Sequence, residues 1–141
     1  MGLGLKRSDL QAVAQCKLDD AATLLQHNRY SNAYYLAGYA VEIGLKACIA
    51  RQMTAETIPD KALIKKILNH DFSTLIGLAG LAQPLKDHQD GDATFATYWG
   101  IVGEWEPDIR YEPVEQMSAQ LLVQAVGDPK SGVLTWIKTH W

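Results

Sequence analysis

Cysteine is nearly missing from this chain. There are two, Cys16 and Cys48, too few for a disulfide framework. Each falls within a helical pattern, which predicts small buried apolar side chains without a redox or metal role. Long apolar runs are also lacking: no window approaches the ~20 residues of a membrane span, and MGLGLKRSDL at the start has no signal-peptide core. No membrane partner and a cytoplasmic address are therefore expected. No cysteine pair or His-x-x-x-His spacing offers a zinc site, and there is no glycine-rich phosphate loop or nucleophile elbow. His27, His70, His88 and His140 are scattered. No metal, cofactor or catalytic constellation is expected from these patterns.

Positive charge is scarce in one region. Between Asp87 and Glu115 eight acids face one base, Arg110, within a chain of net charge −3. Such a surface repels a phosphate backbone, so duplex DNA is not an expected partner. A nucleotide or a short single strand held in one basic pocket stays compatible with it.

What is present is helix. The stretch YSNAYYLAGYAVEIGLKACIARQM, Tyr30 to Met53, runs without proline, and Ala33, Ala37, Ala40, Gly44 and Ala47 recur at steps of three or four. They form one small-residue stripe that admits a close neighbour. Tyr34, Leu36, Val41, Ile43, Leu45 and Ile49 point elsewhere, so the helix is apolar nearly all round and belongs at the centre of a bundle. Glu42 and Lys46 interrupt it one turn apart, acid before base. An exposed pair of that kind contributes only about 0.3–0.5 kcal/mol. Inside an apolar helix the two charges call for another partner.

At 141 residues the chain fits a single domain. Ser8 and Gln11 read as a capping box opening an amphipathic helix to about His27, with Lys17, Asp19 and Asp20 away from its apolar face. TAETIPD breaks the central helix, and DKALIKKILN forms a short helix whose Lys61, Lys65 and Lys66 make the most basic patch, read as a solvated face. From Ser73 the run TLIGLAGLA predicts a core helix ending near Gln83–Pro84, with Gly77 and Gly80 explained by close packing. KDHQDGD reads as a polar loop, and Asp92 caps a helix whose stripe is Phe95, Tyr98, Trp99, Val102 and Trp105. After the irregular EPDIRYEP, Pro113 opens a helix through Met117, Leu121, Leu122, Ala125 and Val126 that Gly127 stops, and Asp128–Pro129 opens a last short one. The expected class is all-α, an up-and-down bundle of four to five helices with a short C-terminal helix.

NRYSNAYYLAGYAVEIGLKACIAR, then HDFSTLIGL, then W…IRYEP, in this order over roughly residues 8–126, resemble the HEPN family (higher eukaryotes and prokaryotes nucleotide-binding domains). The resemblance implies a helical bundle, a homodimer, and kinship with the substrate-binding domains that accompany minimal nucleotidyltransferases, a possible partner here. Many HEPN proteins are metal-independent ribonucleases of toxin–antitoxin systems, using an arginine followed after four to six residues by a histidine. On this chain the arginine falls at Arg110, and the histidine positions hold Glu115, Gln116 and Met117. Without that imidazole the proton transfers of RNA cleavage lose their carrier. The expectation is therefore non-catalytic binding of a nucleotide or short RNA by Glu42, Lys46, Arg110, Tyr111 and His70. Glu42 meets Arg110 in this reading, Arg110 and Lys46 hold a phosphate, and Tyr111 or Trp105 stacks on a base. His70 is otherwise a helix-start residue bonding nearby backbone. Three alternatives stay open: Glu42–Arg110 as a purely structural ion pair, a ribonuclease built on Arg110 with His70 or Glu115, and a plain interaction protein.

Overall fold

The computed structural model describes residues 4–53 and 55–141, with Arg110 described by its backbone alone. Within them every regular element is helical: α1 Arg7–Gln26, α2 Tyr30–Gln52, α3 Lys61–Ile67, α4 Phe72–Leu78, α5 Ala82–Gly91, α6 Ala93–Val102, a 3-10 helix Pro107–Tyr111, α7 Gln116–Gly127 and α8 Val133–Ile137. The fold is all-α. No described helix is long and apolar enough to cross a membrane. Residues 1–3 of the start read above as lacking a signal sequence lie outside the described residues.

α2 occupies the centre, as its all-round apolar character requires: α1, α4, α7, α8 and the 3-10 helix all pack on it. Its small-residue stripe is fully buried, with Ala33, Ala37, Ala40 and Ala47 sealed from solvent. A Cβ on Gly44 would stand 3.0 Å from Leu134 Cδ1 and 3.1 Å from Ile137 Cγ2, so its absence lets α8 close onto α2. α1 runs antiparallel to α2 through a tight turn in which Asn28 adopts a positive φ of 61°. Both far ends of this hairpin are tied to the C-terminal segment: Gln11 donates to the Trp141 carbonyl at 2.7 Å, and Arg51 to the His140 carbonyl at 3.2 Å.

Four local expectations change. Gln11 is engaged with Trp141 instead of a capping box, and α1 begins after Lys6 with no side-chain cap. The run after Ser73 is split, because Gly80 takes φ +72° and Leu81 N–H reaches back to the Ile76 carbonyl, a Schellman stop. A Cβ on Gly77 or Gly80 would meet nothing within 4 Å, so a turn and not close packing explains Gly80. The string KDHQDGD is helical up to Gly91, since Pro84 sits in the first turn of α5, where a missing N–H costs nothing, and the His88 ring packs edge-on against Phe95 with centroids 4.4 Å apart. On α7 the buried side is Ala119, Leu122, Ala125 and Val126, and Met117 and Leu121 stand exposed; Pro113 lies before the helix.

Asp92 caps α6 as expected, accepting from Phe95 N–H at 3.0 Å, and its other oxygen accepts from Ser131 Oγ at 2.9 Å, joining α6 to the segment before α8. These bonds, that to Phe95 first, lower the carboxyl below its ordinary 3.8. A depressed folded-state value contributes stability that is complete above the unfolded value and disappears as pH falls through the folded one. Asp92→Asn should therefore melt below wild type at neutral pH, with the gap in Tm closing in acid. A gap independent of pH contradicts this.

Cys48 is buried as expected, and burial pushes its thiol up to about 11. Cys16 is exposed, on the outer side of α1. A thiol reagent at neutral pH is expected to label Cys16 alone in the native protein and both residues after denaturation; rapid native labelling of Cys48 contradicts the packing.

Candidate functional site

An acid in the middle of an apolar helix stays ionised only if other groups replace its hydration. Glu42 is 1% exposed. Its Oε2 accepts from Lys46 Nζ at 3.1 Å, one turn further along α2, and its Oε1 lies 2.7 Å from His70 Nδ1 on the linker between α3 and α4. The Lys46 side chain is 12% exposed and that of His70 is 52% exposed. Water therefore reaches the partners but not the carboxylate. Asp71 fixes the His70 linker by capping α4, its carboxylate accepting from the Thr74 backbone N–H at 3.0 Å and from the Thr74 hydroxyl at 2.8 Å.

The cluster stands between two openings. One is a groove of about 410 Å³ between the start of α1 and the middle of α2, where Lys6, Lys17 and Lys46 surround an apolar floor including Leu10, Val13 and Ile43. Lys17 holds its ammonium 5.9 Å from the centre of the Tyr39 ring. Burial, then the Glu42 charge and Tyr35, raise the Tyr39 hydroxyl above its ordinary value, keeping it a neutral donor. Against the three lysines stand two acids, Asp9 and Glu42, and Glu42 is the one already held by Lys46 and His70. Among the described residues Lys6 and Lys17 have no ion-pair partner.

The other opening, about 360 Å³, lies on the far side of His70 and carries Asp71, Glu106 and Asp108 beside Trp99 and Trp105. Among the described lining residues three carboxylates outweigh the one imidazole, a balance that disfavours phosphate. Trp105 is 4% exposed. Its ring lies against Gly38, where a Cβ would come within 2.3 Å of three ring atoms, and stacks on Phe72 with centroids 5.6 Å apart. Nearly sealed from solvent by these neighbours, Trp105 is core and does not stack on a base. Its Nε1–H has no acceptor among the described residues.

Of the five residues singled out above, the structure unites Glu42, Lys46 and His70. His70 bonds the Glu42 carboxylate, not nearby backbone. Tyr111 is 74% exposed and lines neither opening. The Arg110 side chain, and with it the expected contact to Glu42, lies outside the described residues. The backbone carrying Arg110 passes from Trp105 at Gly38 to Val114, whose N–H donates to Ser31 Oγ at 2.9 Å. It thus follows the N-terminal half of α2, about one to three turns from Glu42. Lys6 and Lys17 were missed. Lys17 was placed away from the apolar face of α1, whereas it reaches across to Tyr39 along the α1–α2 seam. The patch Lys61, Lys65 and Lys66 is a solvated face, as expected.

No group of histidine, cysteine, aspartate or glutamate among the described residues is arranged to hold a metal ion. No protein-family model, curated protein or solved structure matches this chain.

Proposed function

We propose that this chain is a non-catalytic HEPN-like domain that binds a nucleotide or short single-stranded RNA in the α1–α2 groove and pairs with a second copy or a minimal nucleotidyltransferase. The observation that carries the binding is the pair of ammonium groups, Lys6 and Lys17, without an ion-pair partner among the described residues, set around an apolar floor beside the Glu42–Lys46 pair. Ammonium groups are point-charge phosphate binders, and the apolar floor suits the flat face of a base. Exposed Met117 and Leu121, one turn apart on α7, support a face for a partner helix. The resemblance to HEPN proteins supports the choice of partners, including a place in a toxin–antitoxin pair.

Calorimetric titration with nucleoside triphosphates and a short uridine-rich RNA tests the reading. Wild type is expected to bind with affinity that falls as salt rises. Lys6→Gln/Lys17→Gln, which leaves the buried Glu42–Lys46 pair intact, should weaken binding by roughly tenfold or more. No binding by wild type removes the proposal.

One observation favours a second reading, ribonuclease activity with an atypical constellation. Glu42 fixes His70 through Nδ1 and leaves the other ring nitrogen for proton transfer, the orientation a general base needs. The carboxylates beside His70 oppose it by repelling a phosphodiester. RNA cleavage by wild type that His70→Gln abolishes would establish this reading over the first.

A further inference from the structure

Away from the Glu42 cluster, α5 and the segment around α8 border an open cavity of about 420 Å³ lined by His88, Lys130, Trp136 and His140, together with Thr135 and Thr139. The two imidazoles flank one indole: His88 stacks on Trp136 with centroids 6.0 Å apart, and His140 meets it edge-on at 5.0 Å. Arg51 arrives from α2 to donate to the His140 carbonyl. Four groups that carry or can acquire positive charge, from α2, α5, the Lys130 turn and the segment after α8, therefore converge.

The negative charge nearby is limited. Asp87 lines the cavity and accepts from Gln83 Nε2 at 2.8 Å. Asp92, at the α5–α6 junction, feels the His88 charge but is committed to its cap and to Ser131. Asp128 accepts from the backbone N–H groups of Lys130 and Ser131. The Thr135 and Thr139 hydroxyls donate to backbone carbonyls. Among the described residues the Lys130 ammonium has no ion-pair partner.

From this convergence we infer that the cavity is a binding site for a dianionic oxyanion, a phosphomonoester, held by His88, His140 and Lys130 with its organic substituent toward the open side of the cavity. Crowding of like charge is relieved by an anion of matching charge. The cavity, about 420 Å³, exceeds a bare phosphate and leaves room for a small substituent. Burial first, then Arg51 and His88, lower the His140 imidazole below its ordinary 6.5. Unliganded, it therefore resists the proton that an anion would favour. The site is separate from the α1–α2 groove and does not rest on the nucleotide reading.

Sulfate is the cleaner probe, because its charge is constant over the relevant pH range. NMR spectra of the intact protein at fixed pH, with and without sulfate at matched ionic strength, are expected to show the His88 and His140 ring signals moving while those of His27, outside the cavity, stay put. The His140 midpoint should rise. Sulfate affinity should rise roughly tenfold between about pH 8 and about pH 6. Lys130→Ala, an exposed site, should weaken sulfate binding about tenfold without unfolding the protein. Glycerol phosphate binding more tightly than inorganic phosphate, with acetate weakest, identifies the ester. Equal movement of all histidines, an unchanged His140 midpoint, or undiminished binding by Lys130→Ala overturns the proposal.

Discussion

Glu42→Met is expected to destabilise the protein by about 3 kcal/mol, the lower end of the range for breaking a buried ion pair, because Lys46 and His70 retain some access to water. In a domain of this size that is a fall in Tm of about 10 °C. The cause is the abandoned partner more than the lost attraction. Methionine fills much the same volume, but the Lys46 ammonium, 12% exposed, is left without its carboxylate. The double variant Glu42→Met/Lys46→Met removes both charges and should recover most of the loss, since apolar replacement of a whole buried pair is often neutral or better. Thermal melts of the two variants check this. A double variant less stable than Glu42→Met would mean that the charges themselves hold α2 in place.

Gly38→Ala is expected to be the other costly change, although alanine is the better helix former. Propensity alone predicts a gain of about 1 kcal/mol. The new methyl would stand 2.3 Å from the Trp105 ring, well inside any real contact. That ring cannot retreat freely, since it is buried with Phe72 stacked on it and Tyr35 6.1 Å away between centroids. Overpacking of this severity costs about 3 kcal/mol, which leaves a net loss of about 2 kcal/mol. Trp105→Phe in the Gly38→Ala background should return part of that loss, so the double-mutant cycle is strongly non-additive. Additive losses would place Trp105 away from Gly38.

Much of this architecture is legible in the residues. The all-round apolar character of Tyr30–Gln52 makes α2 central, and the stripe of alanines and glycine marks where neighbours come close. Asp60, Asp71 and Asp92 each cap a helix by accepting the third following backbone N–H, a local relation open to inspection. Less legible was α5, because its stability comes from His88 packing on Phe95 and Trp136, contacts across the chain that hydrophobicity does not reveal. The same holds for Met117 and Leu121, whose helical spacing predicts burial but whose side of α7 faces away from α2. At the site, a lone acid within an apolar helix announces that partners must exist. Lys46 follows from the spacing of one turn. His70, 28 residues away, does not, since nothing local joins the α3–α4 linker to the middle of α2. Lys6 and Lys17 stand at helical spacing with Leu10 and Val13, at the edge of the apolar face of α1, but which groove that edge borders depends on how α1 packs on α2.

The central claim, that the lysine-ringed groove between α1 and α2 is where a phosphate-bearing ligand sits, is tested most directly by mapping amide chemical-shift changes on adding a nucleoside triphosphate. The account predicts that the strongest shifts fall on Lys6, Leu10, Val13, Lys17, Tyr39, Ile43 and Lys46, and that they fade as salt is raised. Strong shifts confined to His70, Trp99 and Asp108, or no shifts at all, would contradict it.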